Sequence, residues 1–208
     1  MPPFFSRSIL PILCILAPSL LAHAEQKWEF FDSDPEWEGV NNRSTSMNPV
    51  EVVQDFGYNE PQGNMPGSVG GTITPDGEAA YYAKPIEPLT FEEPVSASGK
   101  LTVENGGGHF LLGFFNSQTL NEWRTPNTLV FRINGRGDFF HNHIEYTTRL
   151  WKAQGTVIGR HDIEKDRVYP NEVPSGSQVH EWSIHYDPEG AGGKGLMSGT
   201  FDGESAQW

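Results

Sequence analysis

Residues 131–151 read FRINGRGDFFHNHIEYTTRLW, and they constrain the fold more than any other part of the chain. His141, His143, Glu145, Thr147 and Arg149 fall at every second position, the period at which a β-strand sends side chains to one face. The run just before, NTLVFRING, alternates as cleanly. Leu129, Phe131 and Ile133 take one face there, and Thr128, Val130, Arg132 and Asn134 take the other. NGRGD between the runs predicts a tight turn, because glycine and asparagine accept the backbone angles a reversal needs. The two runs therefore predict an antiparallel hairpin with one apolar and one polar face.

The same grammar recurs along the chain. No segment after the first two dozen residues shows a sustained helical period with caps, whereas strand-like runs alternate with turn residues. SVGGTITPDGEAAYYAKPI holds a turn signal, Asp76-Gly77, between a threonine-rich run and Tyr81-Tyr82. SASGKLTVENGGG and GHFLLGFFNS read as further strands, the second so continuously apolar that a central position in a sheet is expected. HEWSIHYD alternates Trp182, Ile184 and Tyr186 against Glu181, Ser183 and His185. GLMSGTFDGESAQW reads as a hairpin closed by Asp202-Gly203. With 23 glycines and 16 prolines among 208 residues, short strands and many turns predict an all-β sandwich or jelly roll.

The first 24 residues are set apart from this pattern. Arg7, then ILPILCILAPSLLA, then Ala22-His23-Ala24 give the charged, apolar and small-residue parts of an export signal, so residues 1–24 are expected to be removed and the mature chain to begin at Glu25. The one cysteine, Cys14, lies inside that signal, so the mature chain is expected to carry no disulfide and no thiol chemistry. Nothing later approaches the run of about 18 apolar residues that a membrane-spanning helix requires. The destination expected is secreted, periplasmic or cell-envelope. Residues 25–208 suit a single domain. The chain stops at Trp208, where the second arm of its last hairpin should continue, so a jelly roll incomplete at its C-terminal end is expected.

Lys and Arg total 14 against 27 Asp and Glu, a formal charge of −13, or −14 once Arg7 leaves with the signal. Such a surface repels phosphate backbones, and no basic stripe offsets it, which excludes nucleic acid as a partner. A sugar site needs an aromatic platform and planar hydrogen-bonding groups. Trp123, Arg124, Arg132, Asn134, His141, His143, Glu145, Arg149 and Trp151 supply both, and Arg132, His143, Glu145 and Arg149 are expected to converge beside Trp123 or Trp151. The competing reading is a wetted sheet face whose charges merely pair across strands. Local basic residues in an acidic protein favour an acidic glycan over a cationic one. His141-x-His143-x-Glu145 has the side chains of a zinc set, but such pairs on strands are common without metal. Asp32, Asp34 and Glu36 in DSDPEWEG offer oxygen ligands to a structural calcium, although Asp-Pro turns use the same residues. Arg136-Gly137-Asp138 reads first as a turn.

Taken together, GGTITPDGEAAYYAKPI, SASGKLTVENGGGHFLLGFFNS, NEWRTPNTLVFRINGRGD, EYTTRLWKAQG and HEWSIHYDPEGAGGKGLMSGTFDG resemble secreted bacterial proteins, of a planctomycete type, with a concanavalin A-like lectin/glucanase jelly roll. The resemblance runs from about Trp28 to the end of the chain. It implies two antiparallel sheets with a glycan-carrying face, a fold that hosts lectins, LamG-like modules, hydrolases and lyases. Laminarinase-like members carry their acid pair on one strand as E-x-D-x-x-E. The corresponding strand here reads HNHIEYTTR, with Glu145 as its one acid, which counts against that hydrolase class. His143 and Glu145 are the candidates for catalysis, and Glu122 with Glu145 is a candidate loop acid pair. A lyase would also need a base and a neutraliser such as Arg132. The expected function is a non-catalytic carbohydrate-binding or cell-envelope recognition module; the alternative is a polysaccharide-active enzyme, a lyase or an atypical glycoside hydrolase.

Overall fold

A computed structural model describes residues 26–208 except 48, 76–77, 120–125 and 151. The export signal, the Asp76-Gly77 turn, Glu122, Trp123, Arg124 and Trp151 therefore lie outside the described residues. In chain order the strands are β1 (Glu38–Val40), β2 (Arg43–Met47), β3 (Glu51–Asn59), β4 (Ser68–Thr72), β5 (Tyr81–Ala83), β6 (Val95–Val103), β7 (Gly106–Phe115) and β8 (Thr128–Gly137). They continue with β9 (Phe139–Thr147), β10 (Ala153–Asp162), β11 (Arg167–Pro170), β12 (Val173–Pro174), β13 (Gly176–Asp187), β14 (Leu196–Phe201) and β15 (Glu204–Gln207). Among the described residues helix is confined to single turns at Ser117–Thr119 and Gly190–Gly193, and the structure is all-β.

Two sheets carry the core. The larger runs β11-β10-β9-β8-β7, with β12 paired to β9 beyond the end of β10, and the smaller runs β15-β14-β13-β6, all of them antiparallel. Leu129, Phe131, Ile133, Phe140, Ile144 and Ile158 from the first meet Val103, Ile184, Met197 and Phe201 from the second. Phe131 sits at the centre, its ring 5.5 Å from that of Trp182 and 5.9 Å from that of Phe201. This is a β-sandwich arrangement. The apolar parity read from NTLVFRING and HEWSIHYD holds: Leu129, Phe131, Ile133 and Ile184 are buried, and Trp182 and Tyr186 pack half-buried against them.

The hairpins follow their turn residues. β8 and β9 pair from Thr128–Thr147 to Gly135–Phe140, with Gly137 at φ 83° in the turn. β14 and β15 close at Asp202-Gly203, both at positive φ, 47° and 85°, as the favoured two-residue hairpin turn requires. Asp202 also anchors this turn to β13. Its N–H donates to the Glu181 carbonyl, its Oδ1 accepts the Glu181 N–H at 2.9 Å, and its Oδ2 lies 2.7 Å from Nδ1 of buried His180. The His180 ring stacks on Phe201 at 5.0 Å and meets Phe140 edge-on at 5.7 Å.

Two expectations are corrected. GHFLLGFFNS is not central: among the described residues β7 lies at the edge of the larger sheet. Its continuous apolar run arises because both faces are occupied. Phe110, Leu112 and Phe114 pack on the core, while Phe115 meets Tyr81 at 5.2 Å from the other side. The threonine-rich and Tyr81-Tyr82 runs do not pair with each other either. β4 pairs with β3, and β5 pairs with β1.

Beyond the sandwich, β2-β3-β4 form a three-stranded sheet that the sequence reading missed. β3 buries Val52, Gln54 and Phe56 in alternation. Gln54 masks the apolar pattern, and it is tolerated inside because its amide makes two hydrogen bonds with the backbone of Thr74.

Candidate functional site

The antiparallel register fixes which side chains share the outer face of the larger sheet. Across β7, β8 and β9 one row places His109 beside Asn134 and Asn134 beside His141. The next row, which reaches β10, sets Leu111, Arg132, His143 and Val157 side by side. A third row sets Gly113, Val130, Glu145 and Gly155 side by side. The period-2 reading thus brings Arg132, Asn134, His141, His143 and Glu145 to one face.

At its centre Arg132 and Glu145 are diagonal cross-strand neighbours, within reach of long side chains. Arg132 Nε lies 3.2 Å from Glu145 Oε2, and the two side chains are only 9% and 8% exposed. Thr128, Val130 and Thr147 on the same face are buried as well. The centre of this face, around the ion pair, is therefore covered, while His109 and Arg136 on the same face are exposed. A depression of about 500 Å3 borders the ion pair, and its lining includes Arg132, His143, Glu145, Lys152, Gly155 and Trp208.

The third row is poor in side chains by construction. Gly113 and Gly155 have φ values of +143° and +159°, outside the ordinary range of L-residues, and a Cβ built on either would approach a backbone oxygen to 2.4 and 2.1 Å. Gly155, opposite Glu145 on β10, also lines the depression, so bare backbone borders it on that side.

His141 is half-buried, stacked on Phe139 at 5.4 Å, and its Nε2 has no hydrogen-bond partner among the described residues. Burial first, then the Arg136 guanidinium, hold its pKa below the ordinary imidazole value, with Glu172 opposing. The ring is neutral at pH 7 and presents a hydrogen-bonding nitrogen rather than a charge.

The remaining candidates are placed elsewhere. β9 ends at Thr147, so Arg149 falls in the exposed turn before β10 and does not join the cluster. Trp123, Arg124 and Trp151 lie outside the described residues, as does Glu122. Asp32, Asp34 and Glu36 are exposed, and Asp34 Oδ1 accepts the Glu36 N–H at 2.9 Å, as in the turn reading of DSDPEWEG. Among the described residues no group of three or more His, Cys, Asp and Glu is arranged to hold a metal ion, and no helix is long and apolar enough to cross a membrane.

Two lining residues, Lys152 and Trp208, escaped the sequence reading. Lys152 directly precedes β10 and gave no alternation signal. Trp208 is held opposite Met197 by a pair of backbone hydrogen bonds, 3.0 and 2.9 Å, and only the pairing of β14 with β15 locates it. Neither a family model, nor a curated protein, nor a solved structure matches the chain.

Proposed function

We propose that this chain is an exported sandwich of the concanavalin A-like jelly-roll type that binds a glycan on its polar sheet face and does not transform it, as a carbohydrate-binding or cell-envelope recognition module. One observation carries the reading: an Arg–Glu ion pair sunk into a sheet face beside a depression that it helps to line. For stability alone, two apolar side chains of similar volume serve as well or better than a buried ion pair. Planar charged groups at the edge of a concavity instead suit the hydroxyls of a sugar ring, which both donate and accept hydrogen bonds. Recognition is favoured over hydrolysis because Glu145 is the one carboxylate that the register places on this face of β7 to β10, and it is ion-paired with Arg132. Hydrolysis by either stereochemical route calls for two carboxyl groups flanking the scissile bond.

A glycan array on the full chain tests the reading, followed by calorimetry with any saccharide retained and an assay for released reducing or unsaturated ends. Asn134→Ala and His143→Ala should each weaken binding about tenfold, the loss of one hydrogen bond or its equivalent, with the thermal transition retained because the buried Arg132–Glu145 pair is left intact. Unchanged affinity in both variants, or cleavage of the saccharide, would overturn it.

A further inference from the structure

We propose that Lys152 makes this depression selective for glycans bearing a negative charge, a carboxylate or a sulfate ester; the proposal rests on the glycan reading above. The chain carries 27 acidic against 14 basic residues, so anionic polymers are repelled by most of its surface. The side chains of the depression have the reverse balance: Arg132 and Lys152 are cationic and Glu145 is anionic.

That surplus belongs to Lys152. Arg132 Nε is taken up by Glu145 at 3.2 Å, with both side chains out of solvent. Lys152 is exposed and makes no ion pair among the described residues. Position matters as much as charge. Lys152 directly precedes β10 and lines the depression together with Gly155, Glu145 and Trp208. A lysine ammonium is a compact point charge with three donors, suited to a carboxylate or sulfate whose orientation varies from one sugar to another. His143 and the Arg132–Glu145 pair then read hydroxyls, while Lys152 reads the charge.

The test is a glycan array on the full chain that pairs uronate-containing saccharides with their methyl esters and sulfated saccharides with their desulfated forms. Calorimetry follows on the pair that binds best. The charged member should bind about tenfold more tightly than its neutral counterpart, the worth of one charge-assisted hydrogen bond. Lys152→Met should erase that ratio, and Lys152→Arg should preserve it. Preference for the uronate series identifies a carboxylate, and preference for the sulfated series a sulfate ester. Equal binding of both members of each pair, or an unchanged ratio in Lys152→Met, overturns the role of Lys152 while the glycan reading stands. Retention of no saccharide of either charge overturns the glycan reading, and this proposal with it.

Discussion

Arg132 and Glu145 are the residues on which most depends, and their burial makes them separable by mutation. Either side chain alone would leave an uncompensated charge beneath a covered sheet face. Arg132→Met is expected to destabilise the fold by about 3–5 kcal/mol, the usual penalty for breaking a buried pair from one side. The double replacement Arg132→Met, Glu145→Met should restore most of that loss, because two apolar chains of similar length fill the same space without the desolvation cost. Urea unfolding of the two single variants and the double variant measures the coupling. A double variant as unstable as the sum of the singles would mean that the pair contributes through packing with other groups, not through its charges. The core face carries a residue that parity does not forewarn of. Asn142 lies between Ile133 and Ile158 by register, 2% exposed, with no hydrogen-bond partner for its Oδ1 among the described residues.

At the scale of elements, the β14–β15 hairpin is held at its turn by Asp202. Partial burial pushes the Asp202 carboxyl up, but the hydrogen bonds from His180 and from the Glu181 N–H together hold it below the usual carboxylate range. A carboxyl depressed in the folded state contributes stability that is present above its unfolded value, about 3.9, and lost as pH falls through the folded value. Below about pH 4 the protein should therefore lose stability more steeply than Asp202→Asn, which should be the less stable of the two at neutral pH. Thermal unfolding of both between pH 2 and pH 7 checks this, and parallel pH profiles would assign the acid sensitivity elsewhere. This element also shows what the sequence made legible. Asp202-Gly203 and NGRGD announce their hairpins because the backbone angles a turn demands restrict the residue types that can occupy it. The polar row of β9 was legible for the same local reason, the two-residue period of a strand. Lys152 and Trp208 were not, since their nearness to Glu145 depends on pairings between strands far apart in the chain. β7 misled because a run apolar on both faces looks alike at a sheet's centre and at an edge covered by other side chains.

At the scale of the whole molecule, the described residues divide unequally between the sandwich core and the smaller sheets beside it. Phe131, Ile133, Phe140, Ile144 and Ile184 are fully buried in one cluster spanning both principal sheets, whereas Val52 and Phe56 of β3 are buried outside that cluster. Stability is then expected to be graded. Amide protons of β8 and β9 should exchange only through global unfolding, and those of β3 through a smaller opening of lower free energy. Hydrogen-exchange mass spectrometry with increasing denaturant distinguishes the two. Protection of β3 that merges with that of β8 at all denaturant concentrations would show one cooperative unit instead.

The depression on the larger sheet is bounded by two kinds of wall. At Gly155 it is main chain, fixed by the ladder with β9, and the Arg132–Glu145 pair beside it is buried and paired. A long side chain that a guest must order costs about 0.5–1.5 kcal/mol. The fixed walls were ordered when the sheet formed, so a saccharide that enters would meet that cost chiefly at exposed Lys152.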